Sequence, residues 1–326
     1  MPAPAETPVR IAARGGPLII EVALIPEPGS GPCGEAPAGQ REYFEEAGDC
    51  LRIGASMIRL QPIAPGGGPG GHRYDRGLAN YREVVRGVLQ AAPAIILDVD
   101  LDGAAHEAVE WARRNGRIEL CAPRGRRTLL TPVGGGSPID TMRRVIAGGG
   151  HIRIGLRETR AWPYRGRPTN LDYLRQAVSI ARSMNRPIAT PEQARRMLGL
   201  KPLAPLYAVP SAESVVAGER LFLDVVAQPT ASAVKGYAVV VAPDGKKYSV
   251  TGKGRVVPGV VPFSVDPEGI RHVCCRTVID TTVTPAMPGG GYTIYLALVP
   301  LRSPARAGNA LAAAKAEVTV GRGAAR

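Results

Sequence analysis

The segment HIRIGLRET, residues 151–159, reads as a buried strand running into a loop. It presents Arg157 and Glu158 side by side at the C-terminal mouth of that strand, directly after its apolar run. A guanidinium binds carboxylates and phosphates bidentately, and a carboxylate at a pocket mouth can take up a proton. The pair therefore fits anion binding or acid–base work. Asp98 and Asp100 alternate within AIILDVD (94–100), which puts both on one strand face. Two carboxylates there could share a proton or hold a cation. Arg59, Arg153 and Arg157 could equally neutralise them, and a buried polar network is the favoured reading over a catalytic pair.

The histidines offer less. His106 and Glu110 stand four apart on a helical segment, a spacing that a metal could use, but no third ligand accompanies them. His72 lies in the glycine-rich loop 64–77, and His151 opens a strand, where capping or packing suffices. His272 and Cys274 alternate in a strand-like run, and packing is again preferred over ligation. The five Cys are odd in number and form no CxxC, so neither a disulfide framework nor a zinc ribbon is expected. The sequence contains no GxSxG and no GxxxxGK[ST].

These residues require a frame. Near-continuous apolar runs at 17–25, 57–63, 94–100, 117–123, 127–133 and 151–156 alternate with helical segments at 41–55, 78–92, 103–116 and 138–150. That alternation means βαβ units and a parallel sheet buried on both faces. In RPTNLDYLRQAVSIARSMNRP (167–187), Leu171, Leu174, Val178 and Ala181 recur on one helical face. In TPEQARRMLGL (190–200), Thr190 is the expected N-cap, Pro191 the first helical residue and Gln193 the partner of a capping box.

The texture changes after Leu200. Residues 203–210 read as a linker, and 211–321 as short alternating runs separated by turns. APDGKKY (242–248) is a hairpin with Asp-Gly at its turn. The alanine-rich stretch 308–315 is the one helical candidate among these runs. The expectation is an all-β sandwich, similar to bacterial immunoglobulin-like modules. Residues 1–16 are expected to be a flexible N-terminus and 322–326 a tail. A chain of 326 residues exceeds what one core usually fills, in keeping with two domains.

GGGHIRIGLRET and GRPTNLDYLRQAVSIARSMNRPIATPEQARRMLGL resemble the β-keto acid cleavage enzymes of the 3-keto-5-aminohexanoate type; the likeness spans residues 17–200 and is closest over 148–200. It implies a TIM-type (β/α) barrel and a zinc-dependent retro-Claisen exchange between a β-keto acid and acetyl-CoA, with the metal polarising the keto oxygen. The family's HxHxR strand, however, reads Arg59-Leu60-Gln61-Pro62-Ile63 here. The family's Glu ligand and following Asp correspond to Arg157 and Glu158. Arg153 is retained, and Glu21 matches the acidic position of the first strand. A guanidinium has no lone pair for zinc. The zinc of the family is thus expected to lack its ligands, and no cofactor is assigned. A full barrel takes about 250 residues, so a shortened or incomplete barrel is expected over 17–202.

Glu158, Arg153 and Asp98 are the candidates for catalysis, and Arg59, Gln61, Arg157 and Glu21 for ligand binding. The expected function is that of a degenerate, non-catalytic binding or assembly module. The alternatives are a structural subunit of a larger oligomer and an active lyase or acyltransferase with a rebuilt site. The net charge of +13 is spread along the chain, with 28 Lys+Arg against 20 Asp+Glu in 1–202 and 13 against 8 in 203–326. Neither a block of like charges nor a basic–aromatic pattern marks a nucleic-acid surface. The expected partners are other subunits of a homo-oligomer and an anionic small molecule or CoA ester, with no specific nucleic acid and no membrane. The sequence shows no apolar leader at 1–16 and no apolar run of spanning length, so a cytoplasmic protein is expected.

Overall fold

A computed structural model describes residues 16–24, 40–60, 78–100, 118–122, 130–133, 137–156, 168–252 and 255–321. Outside them lie the expected helix at 103–116, the glycine-rich loop, most of the N-terminal segment, the tail, and Gln61, His72, His106, Glu110, Arg157 and Glu158. The chain divides into two compact units, Met1–Pro202 and Leu203–Arg326.

The first unit contains strands β1 (Ile20–Leu24), β2 (Met57–Leu60), β3 (Ile96–Asp100), β4 (Ile118–Ala122), β5 (Thr131–Pro132) and β6 (Ile152–Ile154). Its helices are α1 (Gln40–Ile53), α2 (Leu78–Ala91), α3 (Pro138–Ala147), α4 (Asn170–Ser183) and α5 (Pro191–Met197). The strands pair in parallel in the order β4-β3-β2-β1-β6-β5. Every residue of β1 is buried, as a central parallel strand covered on both faces requires. One face of the sheet begins with Ile19, Met57 and Ile96, which cluster with Leu130 and are covered by Ala189, Ala194 and Leu198 around α5. Burying each such large side chain stabilises by about 1.5–3 kcal/mol.

The helix ends are set by side chains. At α5, Thr190 Oγ1 accepts from Gln193 N at 3.2 Å and Gln193 Oε1 accepts from Thr190 N at 2.9 Å, the reciprocal box expected there. A second box opens α4, where Thr169 N donates to Asp172 Oδ2 at 2.9 Å and Asp172 N to Thr169 Oγ1 at 3.2 Å. The buried face of α4 is Tyr173, Leu174, Ala177, Val178, Ile180 and Ala181, and Leu171 is only half-buried on its flank.

Side chains also hold β6 at both ends. At its start, His151 Nδ1 accepts the Ile19 N–H at 3.1 Å. Arg186 donates to the carbonyls of Gly16 (3.1 Å), Ile146 (2.9 Å), Gly150 (2.6 Å) and Gly149 (3.1 Å), gathering the carbonyls that follow α3. Burial and the adjacent Arg186 charge push the His151 pKa down to about 4. At the far end, Asn170 Oδ1 accepts the Leu156 N–H at 2.9 Å, and Asn170 Nδ2 donates to Glu46 Oε2 at 3.4 Å. Burial raises the Glu46 carboxyl to about 7, against the opposing pull of the Asn170 hydrogen bond. Gly155 lies between these ends with φ +147°, and a Cβ there would meet the Ala23 carbonyl oxygen at 2.6 Å.

The second unit contains β7 (Leu206–Pro210), β8 (Ser214–Val215), β9 (Arg220–Ala227), β10 (Val234–Val241), β11 (Lys247–Val250), β12 (Val256–Pro258), β13 (Pro262–Asp266), β14 (Cys274–Thr282), β15 (Gly290–Pro300) and β16 (Ala312–Val320). One sheet runs β12-β11-β10-β15-β16-β8 with β13 also on β10, and the other runs β14-β9-β7. A single apolar cluster draws Leu223 and Val225 from the smaller sheet and Ala238, Leu296 and Val318 from the larger. Three local expectations are corrected. Residues 206–210 of the supposed linker form β7, antiparallel to β9, with prolines only around its ends. The alanine-rich stretch is a short 3₁₀ turn (Ala307–Asn309) followed by β16, because pairing with β15 outweighs alanine's helical preference. His272 sits exposed in a bend before β14, so it shares no strand face with Cys274. In the hairpin, Gly245 N donates to Ala242 O at 2.9 Å, so Pro243 and Asp244 are the central turn residues and Gly245 takes φ +80° behind them. Among the described residues, no helix is long and apolar enough to cross a membrane.

Two predictions concern the holding of β6. Gly155→Ala should destabilise by about 2 kcal/mol or more in urea unfolding, because a Cβ collides with backbone at a strained φ. Gly199→Ala, at φ +68° with open space around it, should cost only about 1 kcal/mol. The second prediction is a pH profile. Unfolded histidine takes a proton near 6.5 and His151 only near 4, so its contribution is full above 6.5 and lost as pH falls toward 4. An unfolded glutamate ionises near 4.5 and Glu46 near 7, so its contribution is full below 4.5 and lost as pH rises toward 7. The two oppose each other over the same window, each on the order of 2–3 kcal/mol. His151→Asn should therefore make unfolding free energy rise as pH falls from 6.5 to 4.5, and Glu46→Gln should make it fall.

Candidate functional site

The chemistry-bearing residues of the first unit meet on the face that α5 covers at its apolar end. In one row of in-register neighbours, Ile96, Met57, Glu21 and Arg153 follow one another across β3, β2, β1 and β6. In the next row, toward the C-terminal ends of the strands, Asp98 lies beside Arg59, and Arg59 beside Ala23. In-register neighbours on parallel strands share a face, and residues two apart on one strand do so as well. Glu21, Arg59, Asp98 and Arg153 therefore form one ionic layer on this face, Glu21 and Arg153 continuing the row of Met57 and Ile96 and Arg59 and Asp98 standing in the row beyond it.

Burial makes this layer consequential. Glu21 is 1% exposed, Arg59 8% and Asp98 0%, while Arg153 is half-buried. The register sets an acidic and a basic residue side by side on adjacent strands in each row, Glu21 with Arg153 and Asp98 with Arg59, so the layer contains two of each. A buried charge is tolerated where an opposite one compensates it, and removing one member leaves the other at high cost.

Chemically, this donor set suits ion pairing and the bidentate grip of an anion by the more accessible Arg153. A guanidinium has no lone pair to give a metal, so neither Arg59 nor Arg153 can serve as a ligand. Among the described residues, no three His, Cys, Asp or Glu side chains are grouped to hold a metal.

Of the residues singled out from sequence, the fold brings Glu21, Arg59, Asp98 and Arg153 together. Gln61, Arg157 and Glu158 lie outside the described residues, and so does the side chain of Asp100. Sequence reasoning passed over Glu46 and Asn170. A signal existed for the first: Glu46 falls on the stripe of α1 that buries Tyr43, Ala47 and Cys50. Cys50 is fully buried one turn on, and burial together with the Glu46 charge pushes its thiol up.

No characterised protein matches the sequence significantly. Among solved structures, the CARDB domain of a Pyrococcus furiosus protein in complex with di-metal ions is similar at 14% identity and TM-score 0.20, covering 35% of this chain and 89% of that one. A Pseudomonas fluorescens alkylpurine DNA glycosylase bound to abasic-site DNA is similar at 11% identity and TM-score 0.22, covering 86% of this chain and 60% of that one. A β-glucosidase from Erythrobacter marinus is similar at 11% identity and TM-score 0.19, covering 96% and 47%. At such TM-scores these likenesses bear on neither fold nor activity. Residues 118–200, which span β4 to β6 and α3 to α5 and so carry Arg153 and Asn170, match the family model of the beta-keto acid cleavage enzymes.

Proposed function

We propose that the first unit is a degenerate, shortened relative of the beta-keto acid cleavage enzymes whose zinc-binding mouth has become an ionic layer. The protein then serves as a non-catalytic binding or assembly module, and Arg153 offers an anionic group its most accessible contact. The observation that carries this reading is the placement of Arg59 beside Asp98 on one buried sheet face. In the metal-dependent family that face supplies electron-pair donors to zinc; here it supplies opposite charges to each other.

The strand order supports a shortened barrel. Its last strand lies beside its first, with β5 next to that and β4 at the far edge, as in a barrel with units removed between β4 and β5. Laid flat, six strands would separate those edges by about 24 Å. Only residues 123–130 connect them, a reach of about 30 Å at full extension. The second unit, two sheets on one apolar cluster, is in this reading an immunoglobulin-like interaction module. A subunit role in a larger oligomer is the second reading. It is favoured by β14, a nine-residue strand at the edge of its sheet among the described residues, where another chain can add by strand pairing.

Purified full-length protein should hold far less than one zinc per chain by elemental analysis, and should release no acetoacetyl product from a 3-oxo acid and acetyl-CoA. One tightly held zinc per chain that is lost in Glu21→Ala, or steady turnover, would overturn the reading. The ionic layer makes a separate prediction. Arg59→Met should cost about 3–5 kcal/mol by leaving a buried carboxylate uncompensated, whereas Arg59→Met with Asp98→Leu should recover most of that loss in urea unfolding.

A further inference from the structure

We infer that Glu46 and Asn170 form a proton-linked clamp on the exit of β6, so that the anchoring of the strand that carries Arg153 responds to the ionisation of Glu46. This goes beyond the reading of the ionic layer and stands or falls independently of it. The geometry is specific. Asn170 is 1% exposed and lies at the first turn of α4, beside its Thr169–Asp172 capping box. Its carbonyl oxygen holds the Leu156 N–H at 2.9 Å, and its amide nitrogen is turned to Glu46 Oε2 at 3.4 Å. An amide presents its acceptor on one side and its donors on the other. Glu46 and the Leu156 N–H thus hold the two ends of one amide, and Asn170 takes up the backbone donor just beyond the three-residue ladder of β6.

The surroundings of Glu46 show why its proton matters. On α1 itself, Cys50 lies one turn away; Arg41 pairs with Glu45 and Arg52 with Asp49, while Glu42 is exposed. On α4, Arg175 pairs with Asp172 at 3.2 Å. The charged residues of α2 are Arg82, Glu83 and Arg86, and Glu21 of β1 belongs to the ionic layer on the other sheet face. None of these charges contributes to the shift of Glu46: burial raises it, and only the Asn170 hydrogen bond opposes. An ionised Glu46 is thus a carboxylate held short of water by a single neutral donor. It gains solvation by moving outward, and that movement takes the amide nitrogen of Asn170 with it and releases Leu156 N–H.

The test is amide hydrogen exchange on the full-length protein, with the protection factor of Leu156 measured against that of Val22 in the middle of β1. Val22 reports opening of the whole sheet, so the ratio isolates the clamp. The ratio should fall at least tenfold between pH 5 and 7.5 and level off above, and it should be flat in Glu46→Gln. The Asn170 side-chain amide resonances should titrate over the same range in the wild type and remain constant in that variant. A ratio that does not change with pH in the wild type, or that changes equally in Glu46→Gln, would overturn the inference. If Glu46→Gln folds poorly, the wild-type ratio decides the matter alone: a fall of tenfold or more over this range supports the clamp, and a flat ratio overturns it.

Discussion

A three-residue strand cannot hold itself in a sheet. β6 joins β5 to β1 through Ile152, Arg153 and Ile154, and so short a ladder leaves backbone groups at both ends in need of partners. The protein supplies them from side chains distant in sequence. His151 meets Ile19, Arg186 gathers carbonyls from Gly16 to Gly150, and Asn170 meets Leu156. The central position of β1, and with it the row that sets Glu21 beside Arg153, depends on those bonds. They are also costly to disturb, because each satisfies a buried group that would otherwise face no acceptor or donor.

The same economy governs the ionic layer. A sheet face buried below by Ile19, Met57 and Ile96 can carry charge above only if the charges are matched. The register sets a carboxylate and a guanidinium on adjacent strands in each row, Glu21 with Arg153 and Asp98 with Arg59.

The second unit follows another logic. Its strands are antiparallel but for β8 on β16, and ladder pairing decides its local structure. Arg276 reaches from β14 to Asp266 on β13 with a bidentate pair at 2.6 and 3.1 Å, a link between the two sheets. Such contacts depend on residues that come together only once both sheets have formed.

Much was legible in the residues themselves. The parallel character of the first unit followed from continuous apolar runs, and the Thr190–Gln193 box from its spacing, because strand burial and helix capping are local matters of residue type. The Thr169–Asp172 box was less visible, since aspartate at the third position departs from the usual Glu or Gln. Arg59, Asp98, Glu21 and Arg153 could be picked out individually, but not their grouping. Register decided that, and register is set by how strands far apart in sequence pack against a common core. The clamp of Glu46 and Asn170, separated by 124 residues, and the extension of β16 through an alanine run likewise belong to the tertiary structure. Sequence by itself determined the strands and helices of the first unit and which charges were present; only the folded sheets decided which charges would be neighbours and that an alanine run would be a strand, because a residue is matched by what lies beside it in space and not by what precedes it in the chain.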